Sequence, residues 1–142
     1  MTEGFDFKGV SISKIEGIGP KYAAKLAKVG IKTTRSLLEK AATKKGRTEV
    51  SAKSGIGETL ILEWVNLADL FRINGIGEEF SDLLEETGVD TVVELAKRKP
   101  ENLHKALVDV NEAKKLTRKT PSLKQVQDWV KQAKTLPRIV KY

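Results

Sequence analysis

The sequence predicts an all-α fold made of two pseudo-repeats, about eight short helices in one compact body. Three observations carry that prediction. Residues 15 to 37, IEGIGPKYAAKLAKVGIKTTRSL, align without a gap on residues 73 to 95, INGIGEEFSDLLEETGVDTVVEL, with eight identities in 23 positions. A weaker match pairs ILEWVNLA (61 to 68) with VQDWVKQA (126 to 133), setting Trp64 against Trp129. The apolar residues of every strong segment fall at i, i+3, i+4 and i+7 spacings, and no stretch alternates with period two.

Taken in order, the chain divides into an N-terminal segment (1–14), a first repeat (15–72) and a second repeat with a C-terminal tail (73–142). Ile12 and Ile15 are read as the end of one helix, and Gly17, Ile18 and Gly19 as a turn. Pro20 then opens the next helix at the position where its missing N–H costs nothing. Tyr22, Leu26 and Val29 form its apolar face, and Gly30 stops it as a residue in the left-handed conformation. The stretch KAATKKGRTEV around Gly46 is the one internal loop predicted. After SGIGETLI (54 to 61), Leu60, Ile61, Trp64, Val65, Ala68 and Phe71 mark a helix with Trp64 in the core. The second copy repeats the scheme: Gly75–Ile76–Gly77, a helix bearing Phe80, Leu83 and Leu84, a stop at Gly88, and a capping box at TVVE, Thr91 to Glu94. Seven extra residues fall within NLHKALVDVNEAKKLTRKT, Trp129 matches Trp64, and LPRIVKY reads as an extended tail held by Ile139, Val140 and Tyr142.

Composition narrows the chemistry. Cysteine is absent and histidine occurs once, as His104, read as an ordinary surface residue; disulfides, zinc clusters and Cys/His nucleophile pairs are excluded. No metal, cofactor or catalytic constellation is expected. The apolar runs are too short to span a membrane, and the start MTEGFDFKGV lacks the basic-then-apolar order of a signal peptide, so the expected location is cytoplasmic. Twenty-six Lys and Arg against nineteen Asp and Glu leave +7, which favours a polyanionic partner.

The first glycine turn is where an anion is expected. Glycine leaves the backbone bare. With Ile18 dropped between the helices, the N–H groups of Gly19, Lys21 and Tyr22 point outward at a helix N-terminus, and the helix dipole favours negative charge there. Lys21 and Lys25 lie a turn apart and Lys28 continues their face. The candidate nucleic-acid-binding residues are therefore Gly17, Ile18, Gly19, Pro20, Lys21, Lys25 and Lys28, joined by Lys53, Gly55 and Gly57 of the second turn.

The spacing Ile12, Ile15, Gly17, Ile18, Gly19, Ala23, Leu26 resembles the helix-hairpin-helix motif, and Leu70, Ile73, Gly75, Ile76, Gly77, Ser81, Leu84 matches it again. In SGIGETLI the glycines persist, with Lys53 and Ile61 where the motif prefers an apolar residue and alanine; near KTPSLKQV a fourth hairpin has lost its glycines. Across nearly its whole length, including LILEWVNLADL and LPRIVKY, the chain resembles a bacterial family of tandem helix-hairpin-helix proteins catalogued as a domain of unknown function, number 4332. The motif, found in DNA repair polymerases and junction-processing proteins, implies sequence-independent contact with the DNA backbone through hairpin amides, here at Gly17, Gly19, Lys21 and Lys25. A nucleoid-associated protein would follow.

Charge divides the turns. Residues 73 to 95 hold seven acids, among them Glu78, Glu79, Asp82, Glu85 and Glu86, and no base; residues 15 to 72 carry 11 bases against 6 acids and residues 96 to 142 carry 13 against 4. A phosphate at Gly77 would meet repulsion, so this turn is expected to be structural or to face a basic protein partner. A non-enzymatic DNA-binding module is the first function expected, a protein-interaction scaffold the second, and an abasic-site lyase acting through Lys53 a distant third.

Overall fold

Seven hydroxyl or glycine positions set where the helices begin. Thr33, Thr43, Thr91 and Ser122 each accept a backbone N–H from three residues on and open helices α2 (Thr34–Ala41), α3 (Lys44–Ser54), α6 (Val92–Ala96) and α8 (Leu123–Thr135). Gly19, Gly57 and Gly77 precede α1 (Pro20–Lys28), α4 (Glu58–Leu70) and α5 (Glu78–Glu86) with no side-chain cap. Helix α7 (Pro100–Lys114) starts on a proline instead. This is a computed structural model that describes Phe5 and residues 7–142; the other residues of the 1–14 segment lie outside it. Among the described residues there are eight α-helices and no strand, and no helix is long and apolar enough to cross a membrane.

The apolar faces of these helices close two clusters. One gathers Ile12, Ile15, Ile18, Leu26, Leu37, Ile61 and Trp64 among others; the second gathers Leu70, Ile73, Ile76, Leu83, Leu84, Leu103, Val126 and Trp129. Helix α4 packs on α2 and α3, α8 packs on α6 and α7, and α4 meets α5. Positions 58 residues apart share backbone conformation: Gly17 and Gly75 have φ of 92° and 99°, Gly30 and Gly88 of 83° and 97°. Their surroundings agree too, since Tyr22 meets Trp64 edge-on at 5.1 Å and Phe80 meets Trp129 at 5.2 Å.

Ile139 and Val140 of the C-terminal tail are buried in the first cluster, not the second. Two buried arginines hold the tail there. Arg47 donates from Nη2 to the Lys141 carbonyl (2.8 Å) and from Nη1 to the carbonyls of Ala41 and Ala42. Arg72 donates from Nη2 to the Pro137 carbonyl (2.9 Å) and from Nη1 to Asp69. Asp69 in turn accepts the Val92 N–H, so one ion pair joins α4, the start of α6 and the tail.

Three sequence expectations need correction. The stretch around Gly46 is helix α3, not a loop: Thr43 caps it, and a Cβ on Gly46 would lie 2.2 Å from the Lys40 carbonyl oxygen, so glycine serves close packing there. Ile12 and Ile15 do not end an α-helix. The chain makes only a 3₁₀ turn at Ile12–Lys14, since Ser11 pairs with Thr33 as an isolated antiparallel bridge. Tyr142 is not part of what holds the tail by burial; it is 62% exposed and its hydroxyl reaches only Asn66 (3.3 Å). Between α7 and α8, where the glycines are lost, Lys115 takes the left-handed conformation instead (φ 51°). His104 is half-buried, with Nε2 3.0 Å from the Pro121 carbonyl in this same loop.

Candidate nucleic-acid interface

The first glycine turn rests on three buried isoleucines. Ile15 donates to the Ile12 carbonyl and Ile18 to the Ile15 carbonyl, a short ladder that turns Ile12, Ile15 and Ile18 inward. Gly17, Gly19, Pro20 and Lys21 are left exposed. The two glycines differ in what they need. Gly17 requires positive φ, whereas Gly19 has φ −85° and no atom within 4 Å of where a Cβ would sit. Gly57 and Gly77 stand in the same open setting, each two residues after a positive-φ glycine. At three helix starts, therefore, glycine occupies a position any residue could fill, and leaves the first-turn amides uncovered.

Only the first of these three helices has no carboxylate in its first turn, although Glu16 lies in the entry turn before it. Glu58 lies in the first turn of α4, its Oε1 accepting the Thr48 hydroxyl at 2.8 Å, and Glu78 and Glu79 lie in the first turn of α5. Acids there satisfy the partial positive charge of the helix end themselves. Helix α1 has none in its first turn. Among the described residues it is the single α-helix that begins with neither a side-chain cap nor an acid in its first turn.

One lysine, Lys21, lies in this first turn, whereas Lys25 and Lys28 lie in the last turn of α1. Lys21 and Lys28 are exposed; Lys25 is half-buried, with Nζ 6.0 Å from the Tyr22 ring centroid. Among the described residues none of the three makes an ion pair; the bridges there are Arg35–Glu39, Asp69–Arg72, Glu94–Arg98 and Glu86–Lys114. The structure thus brings Gly17, Ile18, Gly19, Pro20, Lys21, Lys25 and Lys28 together on one helix and its entry turn. Lys53, Gly55 and Gly57 form a separate turn between α3 and α4. Lys53 is exposed and lines a cleft of about 240 Å³ with Val29, Lys40 and two acids, Glu39 and Glu49, so its positive charge has negative neighbours.

The acidic turn is more extensive than its own sequence indicates. Burial, and then the carboxylates of Glu16 and Glu86, push the Asp82 carboxyl above its ordinary range. Burial again, followed by Glu63, Glu86, Asp82 and Asp90, raises Glu85. Glu16 from the first turn and Glu63 from α4 therefore join the α5 acids in one field. Lys114, from the second basic stretch, answers it by donating to Glu86, which holds the ammonium pKa up. Sequence spacing alone missed this grouping, because Glu16 and Glu63 lie on other elements. It also missed Asp69 and Arg72, whose one trace in the sequence is an acid set within the apolar run Leu67–Phe71 and an arginine three residues on.

The family model described as domain of unknown function (DUF4332) matches residues 16–136. No curated protein and no solved structure matches the chain.

Proposed function

Because the chain belongs to the DUF4332 family, whose description names no activity, we propose its function from the first glycine turn: a non-enzymatic, sequence-independent module that grips the DNA phosphate backbone. The observation that carries this reading is the contrast among helix starts. Four ends are closed by a Thr or Ser cap, two glycine-led ends are answered by acids, and α1 alone keeps its amides bare, with Lys21 in its first turn and Lys25 and Lys28 farther along the same helix. A backbone phosphate at Gly19–Tyr22 takes these N–H groups and the helix dipole, and the lysines take its neighbours. The spacing around Gly17 and Gly19 supports a helix-hairpin-helix reading of this turn. Only backbone is recognised, so affinity is modest, with Kd about 10⁻⁴ to 10⁻⁶ M and a log–log salt slope near −0.9 per phosphate neutralised.

The test is a titration of labelled duplex and four-way-junction DNA at two salt concentrations, with wild type and with Lys21→Glu/Lys25→Glu. The double variant is expected to bind at least about tenfold more weakly with a shallower salt slope. Equal binding by both proteins removes the first turn as the site.

A second reading is favoured by the field of Glu16, Glu63, Asp82, Glu85 and Glu86: a scaffold that receives a basic protein segment on α5. Binding of a labelled polylysine peptide that is lost in Glu78→Lys/Asp82→Lys supports it; binding unchanged in that variant sinks it. The lyase reading has less behind it, because Lys53 is exposed and lacks the burial that activates a Schiff-base lysine.

A further inference from the structure

Arg72 carries a polar atom with no partner. Its side chain is 1% exposed, Nη1 donates to Asp69 and Nη2 to the Pro137 carbonyl, yet Nε is buried with no acceptor among the described residues. A buried donor left without an acceptor forfeits the hydrogen bond it makes with water in the unfolded chain, and native proteins keep few of them. Both Asp69 oxygens are already engaged, one by Nη1 and one by the Val92 N–H, so the pair cannot rearrange to serve Nε without losing a bond.

Arg72 also lines a cleft of about 350 Å³ together with Phe7, Lys8, Asn74 and Leu136. Two further lining residues are occupied. Gln132 accepts the Asn74 N–H and donates to the Asn74 carbonyl, bracing the entry to the acidic turn, and Thr135 donates to the Gln132 carbonyl. What remains without a partner among the described residues is the Lys8 ammonium, the exposed Asn74 carboxamide and the buried Arg72 Nε. The Phe7 centroid lies 5.9 Å from the guanidinium carbon, and the Phe7 backbone is pinned by Arg35 through its carbonyl. The ring also stacks on Phe5 at 6.0 Å and packs against the first cluster.

We propose that this cleft is a binding site for a small phosphate monoester. The phosphate oxygens take Nε–H of Arg72, the Lys8 ammonium and the Asn74 amide, and an apolar substituent lies beside Phe7 and Leu136. Three donor residues lining one cleft suit a tetrahedral oxyanion, and an ion pair of Arg72 with Asp69 leaves Lys8 as the net charge that draws it in. The site lies apart from the first glycine turn and does not depend on the DNA-binding reading.

The experiment follows the side-chain Nε–H resonance of Arg72 by NMR in the full chain during titration with phenyl phosphate, with inorganic phosphate and with a short duplex DNA, against sodium chloride at matched ionic strength. Phenyl phosphate is expected to move the resonance saturably and at least about tenfold more tightly than inorganic phosphate, and Lys8→Ala to weaken it about tenfold. Lys21→Glu/Lys25→Glu should leave that binding unchanged, which separates the result from the fate of the DNA reading. A resonance unmoved by phenyl phosphate, moved equally by chloride, or moved by duplex but not by either free phosphate overturns the proposal.

Discussion

Trp129 Nε1 stands 3.0 Å from the point where a Cβ would project from Gly75. The related pair is looser, with Trp64 Nε1 3.6 Å from that point on Gly17. Both glycines have positive φ, so alanine at either position costs about 1–2 kcal/mol in backbone strain. At Gly75 the indole must also shift. Urea denaturation of Gly17→Ala and Gly75→Ala is expected to show the second variant less stable by about a further 1 kcal/mol; equal losses would mean the indole moves freely.

Gly19→Asp separates folding from binding. Aspartate at that N-cap accepts a first-turn N–H and meets nothing within 4 Å, so the fold is expected to gain a few tenths of a kcal/mol over glycine. The same carboxylate occupies the place proposed for a DNA phosphate. Thermal melting should rise slightly while DNA affinity falls at least about tenfold, and a variant that binds as well as wild type contradicts the role given to these amides.

The converse exchange is informative at the acidic turn. Glu78→Pro/Glu79→Lys gives α5 the start that α1 has, and removes two charges from the field around Asp82 and Glu85. DNA affinity is expected to rise about three- to tenfold, with a salt slope steeper by about 0.9. An unchanged slope would show that the two turns differ in more than charge.

Glu85→Gln tests the sign of the acidic field. Glu85 is raised in the folded protein, so the folded state holds its proton more tightly than the unfolded chain does. Its ionisation therefore lowers stability as pH rises from the ordinary glutamate range through the raised folded value. The substitution should stabilise by about 0.5 kcal/mol at neutral pH, with solvent screening included, and the gain should vanish below the ordinary glutamate range. Denaturation measured across that window decides it, since a gain independent of pH points to packing.

Removal of residues 137–142 is expected to cost several kcal/mol. Ile139 and Val140 are buried, each contributing about 1.5–3 kcal/mol, and both tail-binding arginines lose an acceptor. Against a typical stability of about 5–15 kcal/mol the loss is large. A truncated chain melting within a few degrees of the full one would refute this.

Much of the fold was legible because its signals are local. Helical spacing, the glycine stops at Gly30 and Gly88 and the cap at Thr91 act within a few residues, and the structure keeps each of them. The Thr91 box is only half made: Thr91 accepts the Glu94 N–H at 3.3 Å, while the Glu94 carboxylate turns to Arg98. Where the reading failed, the deciding contact came from afar. Gly46 looked like a loop because its close neighbour, the Lys40 carbonyl, belongs to the preceding helix. The tail's partners, Arg47 and Arg72, are 94 and 65 residues from the carbonyls they hold. At the first turn the lysines and bare glycines were visible in order, but the field that Glu16 shares with Asp82 needed the fold to bring them together.

The crossing of Ile139 and Val140 into the first cluster sets a schedule for biosynthesis. A ribosome that has released residues 15–72 has made every helix of that half, yet two of its interior side chains and the two tail carbonyls that Arg47 and Arg72 grasp, those of Lys141 and Pro137, are still untranslated. The early half must wait, partly open, for the late segment to arrive, so vectorial folding from the N-terminus stalls here until elongation has passed Lys141.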